Sequence, residues 1–236
     1  MLRAEAITKI YDHHKTAVIG LRDATFDIPA GDFVAIVGPS GSGKSTLLLM
    51  LGGMLSPTSG RVLLEAHSLY DVSPNRRARL RRGNIGFVFQ TFNLVPYLTA
   101  QENVQVPLFL ASVGEAEQEK RAADLLRRVG LGDRLPHKPS ELSVGEQQRV
   151  ALARVLANDP KIILADEPTG NLDPETSAQI MEFLDELNAE GRTIVTVTHD
   201  PRAAQRAKHV MRLVGGAIEE NEPASMRPAP LTKDVR

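Results

Sequence analysis

The chain has no cysteine, which excludes disulfides, thiolate chemistry and cysteine-ligated zinc and agrees with a reducing compartment. It also lacks an excess of either charge, with 28 Lys and Arg against 29 Asp and Glu. A nucleic-acid binder needs a strongly basic face. No nucleic-acid partner is therefore expected, and any anionic ligand must be held by local geometry. Long apolar runs are missing too: residues 46–55 form one of the longest, well short of the roughly 18 to 20 residues of a membrane-spanning helix. The opening Met1-Leu2-Arg3-Ala4-Glu5 shows no basic region followed by an apolar one, so neither a secretion signal nor a membrane span is expected. If a membrane is involved, a partner supplies the spans.

What is present organises into one unit with a subdomain, as 236 residues allow. Val18, Leu21, Ala24, Phe26 and Ile28 alternate with polar residues, and Pro29-Ala30-Gly31-Asp32 reads as a turn, so antiparallel strands feeding a hairpin are expected. Residues 33–37 then form a short continuous apolar run ended by Gly38-Pro39, and similar runs recur at 85–89, 162–165 and 193–198. Such runs read as buried strands, and their alternation with helical stretches predicts an α/β domain with a mainly parallel sheet. Residues 91–159 hold no comparable strand. Thr99-Ala100-Gln101-Glu102 is a capping-box pattern and residues 115–129 are rich in helix formers ending at Gly130, so this stretch is expected to be a helical insertion. Gly215-Gly216 predicts a hairpin turn. From Asn221 onward three prolines and little apolar periodicity predict a disordered tail.

The sharpest local signal is Gly38-Pro39-Ser40-Gly41-Ser42-Gly43-Lys44-Ser45, which matches the phosphate-binding pattern G-x-x-x-x-G-K-[ST] between an expected strand and an expected helix. Glycines let backbone N–H groups turn toward phosphate oxygens, and the helix N-terminus adds its positive dipole end. Lys44 reaches the terminal phosphates, and Ser45 offers its hydroxyl to Mg²⁺. The pattern predicts a nucleoside triphosphate with magnesium. Lys161-Ile162-Ile163-Leu164-Ala165-Asp166-Glu167 is an apolar strand that ends in two carboxylates, at the strand end where parallel sheets bind ligands. Asp166 is placed to complete the Mg²⁺ shell and Glu167 to act as general base toward an attacking water.

Further stretches, namely Gln90 after Gly86-Phe87-Val88-Phe89, Leu142-Ser143-Val144-Gly145-Glu146-Gln147-Gln148-Arg149, Asn171-Leu172-Asp173 and Thr198-His199-Asp200, closely resemble the ATP-binding-cassette (ABC) ATPases over almost the whole chain to about Gly216. The resemblance implies an α/β fold. A RecA-like, mainly parallel P-loop core covers about 1–90 and 160–220, with an antiparallel β subdomain and a helical subdomain over about 91–159, leaving 221–236 as the tail. It implies ATP and Mg²⁺ as ligands. The phosphates contact residues 38–46, with Thr46 among them, while Gln90 links the metal to the helical subdomain. His199 contacts the γ-phosphate and the water, and Tyr11 stacks on adenine. Ser143, Gly145 and Glu146, the signature stretch, bind the γ-phosphate held by a second ATPase subunit, and Asp173 lies at that interface. Ser143-Val144-Gly145-Glu146 also reads directly as a capping box, and Asp173-Pro174 as an N-cap with proline at the first helical position. Valine stands at 144 where the family has glycine; valine resists positive φ, so a slightly altered loop is expected there.

Ile85-Gly86-Phe87-Val88-Phe89-Gln90-Thr91-Phe92-Asn93-Leu94 and Leu51-Gly52-Gly53 resemble the lipoprotein-releasing and macrolide-export group. That likeness implies a peripheral place on the cytoplasmic face of the cell membrane and an integral membrane permease partner docking near Phe92, Leu94, Val95, Pro96 and Tyr97, residues that a buried subdomain core explains equally well. One phosphate loop and one signature stretch per chain call for a second chain, and an identical copy, a homodimer, is the economical expectation. An importer or cell-division type subunit shares every nucleotide motif. A scaffold with little turnover, a soluble ABC ATPase and a small-molecule kinase are the other readings; Glu167 with His199, the lack of long coiled coils, and the signature stretch argue against them in turn.

Overall fold

The computed structural model describes residues 1–13 and 16–223, without the side chains of 13, 16 and 220–223. Its strands form two sheets. β1 (Leu2–His13), β2 (Thr16–Ile28), β4 (Ser59–Leu64) and β5 (His67–Ser68) make an antiparallel sheet in the order β2-β1-β4-β5. The second sheet runs β10-β9-β3-β8-β7-β6, built from β3 (Phe33–Val37), β6 (Ile85–Val88), β7 (Ile162–Asp166), β8 (Thr193–Val197), β9 (His209–Val214) and β10 (Ala217–Pro223). Its members β9, β3, β8, β7 and β6 pair in parallel, and β10 closes one edge antiparallel to β9.

Strand alternation explains the layers. In β3, Val34 and Ile36 join a core with α1 (Lys44–Leu51) and the antiparallel sheet, whereas Phe33 and Ala35 join a core with α6 (Pro174–Ala189) and α7 (Pro201–Arg206). β7 divides the same way, with Ile162 and Leu164 on one side and Ile163 and Ala165 on the other. Both faces are covered, which is why these strands read as continuous apolar runs. A third core joins α3 (Ala100–Leu110), α4 (Glu115–Arg128) and α5 (Val144–Leu156) around Val104, Leu108, Leu126 and Val150; this is the expected helical insertion. Both expected capping boxes form, Thr99 with Glu102 and Ser143 with Glu146.

The structure departs from the sequence reading in three places. Residues 29–32 do not close a hairpin: β2 pairs back with β1 (Leu2↔Ile28), and the turn delivers the chain to β3 in the other sheet. Residues 221–223, expected in the tail, instead continue β10 through main-chain pairing with β9, which needs no apolar side chains; the remainder of 221–236 lies outside the described residues. α2 (Pro74–Asn84) was not expected, since it buries no residue and so carries no apolar period. Among the described residues no helix is long and apolar enough to cross a membrane.

Candidate active site

The parallel strands bring their carboxyl ends to one edge, where residues 38–46 lead from β3 into α1. No side chain caps α1, and Gly43 at its N-cap has φ 102°. A Cβ on Gly43 would lie 2.1 Å from the Gly20 carbonyl oxygen, so only glycine lets the loop rest on β2. The uncapped first turn leaves N–H groups and the positive helix end toward the adjoining cavity. Lys44 is 8% exposed, and its Nζ donates to the carbonyls of Gly38 and Pro39 at 3.0 and 2.9 Å. Among the described residues Ser42 Oγ is buried without a hydrogen-bond partner, while Pro39, Ser40 and Gly41 are exposed. The cavity, of about 550 Å³, is lined by Tyr11, Gly20, Lys44, Ser45, Glu167 and His199 among others.

Ser45 Oγ donates to Asp166 Oδ1 at 3.1 Å. Burial holds the Asp166 carboxyl above the usual aspartate range; the Ser45 hydrogen bond opposes this, Glu167 adds to it and Lys44 opposes it. Two hard oxygen donors thus sit side by side in a site that disfavours bare negative charge, a fit for a divalent cation that also takes phosphate oxygens. Among the described residues no group of three or more His, Asp or Glu forms a self-contained metal cage. Glu167 has φ 47°; its N–H donates to Val197 O at 3.0 Å and its carbonyl accepts from Gly170 N–H at 3.1 Å. Glu167 Oε1 lies 3.4 Å from Nδ1 of His199, whose side chain is 69% exposed. Exposed Gln90 follows β6, with its carbonyl accepting from Asn171 Nδ2 at 3.3 Å. Its amide and the Glu167 carboxylate both approach Gly170. The Tyr11 hydroxyl and Thr46 Oγ1 share a hydrogen bond of 3.1 Å, with the Tyr11 ring against Gly20. The role of Gly20 was missed, although a glycine inside a strand marks a close backbone approach.

The structure does not bring Ser143, Gly145, Glu146 or Asp173 to this cavity. Ser143 is exposed and caps α5 through Glu146 N–H at 3.2 Å. Gly145 packs so closely on the first turn of α6 that a Cβ there would come within 2.7 Å of Thr176 Cγ2. Val144 is 48% exposed and begins α5 with no positive φ, so valine's resistance to positive φ, the ground for expecting an altered loop, does not apply at this turn. Glu146 turns inward: its carboxylate accepts from Ser143 N–H at 2.8 Å and Arg134 Nε at 3.0 Å. The Ser143 backbone bond, more than Arg134, keeps it below the usual glutamate range. Asp173 accepts from Glu175 and Thr176 N–H at 3.1 and 3.0 Å and caps α6, and the Thr176 hydrogen bonds hold its carboxyl low.

With this geometry in hand, comparison with known proteins gives a consistent result. A family model described as ABC transporter matches residues 21–170. An ABC transporter ATP-binding protein of Thermotoga maritima is 49% identical over 213 residues, covering 90% of this chain and 91% of that protein. The macrolide export ATP-binding/permease protein MacB of Brucella melitensis is 48% identical over 218 residues, covering 92% of this chain; the chain spans only 34% of its length. Among solved structures, a dimeric post-hydrolysis state of the ATP-binding cassette MJ0796, of Methanocaldococcus jannaschii, bound to ADP and Pi superposes with TM-score 0.90 and 41% identity. That match covers 97% of this chain and 100% of the other.

Proposed function

The chain belongs to the ABC transporter family as one of its ATP-binding ATPases, and from that premise we propose that two identical copies close on two ATP molecules to drive a membrane-embedded export partner. One observation carries this reading. Lys44, Ser45, Asp166, Glu167 and His199 converge at one edge of the sheet, while the signature turn at Ser143 opens elsewhere on the surface. A phosphate site and a second phosphate-facing helix end on different faces of one chain meet only when a second copy supplies one of them.

ATP draws Lys44 from its own loop carbonyls onto the terminal phosphates, and the uncapped turn of α1 receives the phosphate oxygens. Ser45, Asp166 and Gln90 would hold Mg²⁺, which when bound neutralises phosphate charge. Glu167 takes a proton from water as the water oxygen bonds to the γ-phosphorus and the bond to the departing ADP oxygen breaks. His199, beside Glu167, orients that water, and Tyr11 stacks on adenine. Across the interface Ser143 and the N–H groups near Gly145 take the γ-phosphate, with Asp173 alongside. Glu146 serves by holding Ser143, because a carboxylate turned to its own cap offers phosphate nothing but repulsion.

The fused ATP-binding/permease relatives support a permease partner and a peripheral place on the cytoplasmic face of the membrane. Leu94 packs into the helical core and is spent there. The partner is left Tyr97, 82% exposed, with Val95 and Pro96 exposed beside it, and a groove of about 520 Å³ between the helical insertion and the main sheet, lined by Met54, Arg81, Phe87, Val106 and Leu110. The test is recovery of tagged Glu167→Gln protein with Mg-ATP from detergent-solubilised membranes. A dimer with a co-purifying export-type membrane subunit is expected; a monomer under saturating Mg-ATP contradicts the two-copy reading, and a solute permease as companion contradicts the export assignment.

A further inference from the structure

Gln148 lies on α5, little more than one turn beyond Ser143, and is 0% exposed. Its Nε2 donates to the Pro168 carbonyl at 2.6 Å. That carbonyl only accepts, so the amide must present its nitrogen. The other end, Oε1, is buried with no partner among the described residues. A half-satisfied buried amide is an expensive way to fill space that leucine or methionine would fill without penalty.

Pro168 immediately follows Glu167, whose φ of 47° persists in a non-glycine residue only where the surroundings hold it. Those surroundings are Val197 O on β8, Gly170 N–H in the same turn, and, through Pro168, the amide of Gln148. The first two belong to the sheet and its own loop, whereas the third comes from the helix that begins at Ser143. We infer that Gln148 is a positioning residue that ties the signature helix to the backbone bearing Glu167. The aim of the base in one copy then depends on whether that copy's α5 is seated on the nucleotide of the other. The inference rests on the two-copy ATPase reading. The tight Gly145–Thr176 approach is a second tie, binding the same helix end to α6, so α5 and the loop between β7 and α6 move as one body.

Gln148→Met keeps side-chain length and helix preference and removes the donor. Full-length parent, Gln148→Met and Glu167→Gln are compared for Mg-ATP turnover, thermal midpoint and ATP-driven dimerisation. Expected are a fall in kcat of about tenfold or more with KM within about twofold, a near-parental midpoint, and an ATP-locked dimer in the Glu167→Gln, Gln148→Met double variant. Parental kcat overturns the inference. So does a loss shared by kcat, KM, dimerisation and midpoint, which marks Gln148 as packing alone. Gln148→Glu supplies a second measure, since only its protonated carboxyl can donate to Pro168. Its turnover relative to parent should rise as pH falls, and a flat ratio overturns the donor role. A parent that does not hydrolyse ATP, or a Glu167→Gln that does so at the parental rate, strikes the ATPase reading instead.

Discussion

The phosphate loop and the signature turn are both helix N-termini preceded by short polar loops, yet they are built in opposite ways. The start of α1 has no side-chain cap, a Ser42 hydroxyl just before it that is buried without a partner among the described residues, and a lysine resting on its own loop. That of α5 is closed by a reciprocal capping box and an ion pair with Arg134. One end keeps unsatisfied groups for a ligand; the other is stable by itself and lends what remains of its surface. Ligand affinity should therefore reside in the first, and cooperation between copies in the second.

The largest effect that can break this comparison is at Glu167. Glu167→Gln is expected to lower phosphate release by about a hundredfold to ten-thousandfold, the usual contribution of general-base catalysis, while the ATP-bound dimer seen by size-exclusion chromatography remains. Next, Lys44→Ala should weaken nucleotide binding to single copies by about tenfold to a hundredfold, since it removes hydrogen bonds from a charged donor. Ser143→Ala should leave single-copy binding unchanged in titration calorimetry, abolish ATP-driven dimerisation, and cost about 1 kcal/mol of stability as a lost N-cap. Equal losses of single-copy affinity in both variants would erase the distinction.

Two smaller tests sharpen it through pH. The Asp166 carboxyl is raised in the folded state, chiefly by burial, so its ionisation opposes folding above that raised value and ceases to matter below the ordinary aspartate range. Asp166→Asn should raise the nucleotide-free thermal midpoint at neutral pH, with the gain shrinking on acidification, while Mg²⁺-dependent turnover is lost. Glu146 has the opposite sign. Lowered mainly by the Ser143 backbone bond, it supports folding above the ordinary glutamate range and loses that support as pH falls through its lowered value. Glu146→Gln keeps the box but not the titration, so its stability should fall slightly less on acidification than the parent's.

Much of the architecture was legible because the rules involved are local. The run at 33–37 ended by Gly38-Pro39, the capping boxes at Thr99 and Ser143, and the Asp173-Pro174 start of α6 each announce an element within a few residues. What stayed hidden depends on distant partners or on missing periodicity. Nothing near residue 29 says that β2 returns to β1 while the following turn enters another sheet. Arg76, Arg77, Arg79, Arg81 and Arg82 give α2 no apolar face to read. At the site, Lys44, Ser45, Asp166 and Glu167 could be named from motif and strand end. The rest of Gly20 beneath the loop and the reach of Gln148 to Pro168 are contacts between segments that no spacing rule connects.

The signature turn and the phosphate loop open on different faces of the same chain, so on the two-copy reading proposed above turnover follows a rate law second order in free protein. On that reading a copy without the proposed membrane partner meets others rarely and spends little nucleotide. Two copies held side by side on such a partner would experience an effective concentration of roughly millimolar set by the tether. Assembly itself then acts as the throttle on fuel use, with no inhibitory segment needed.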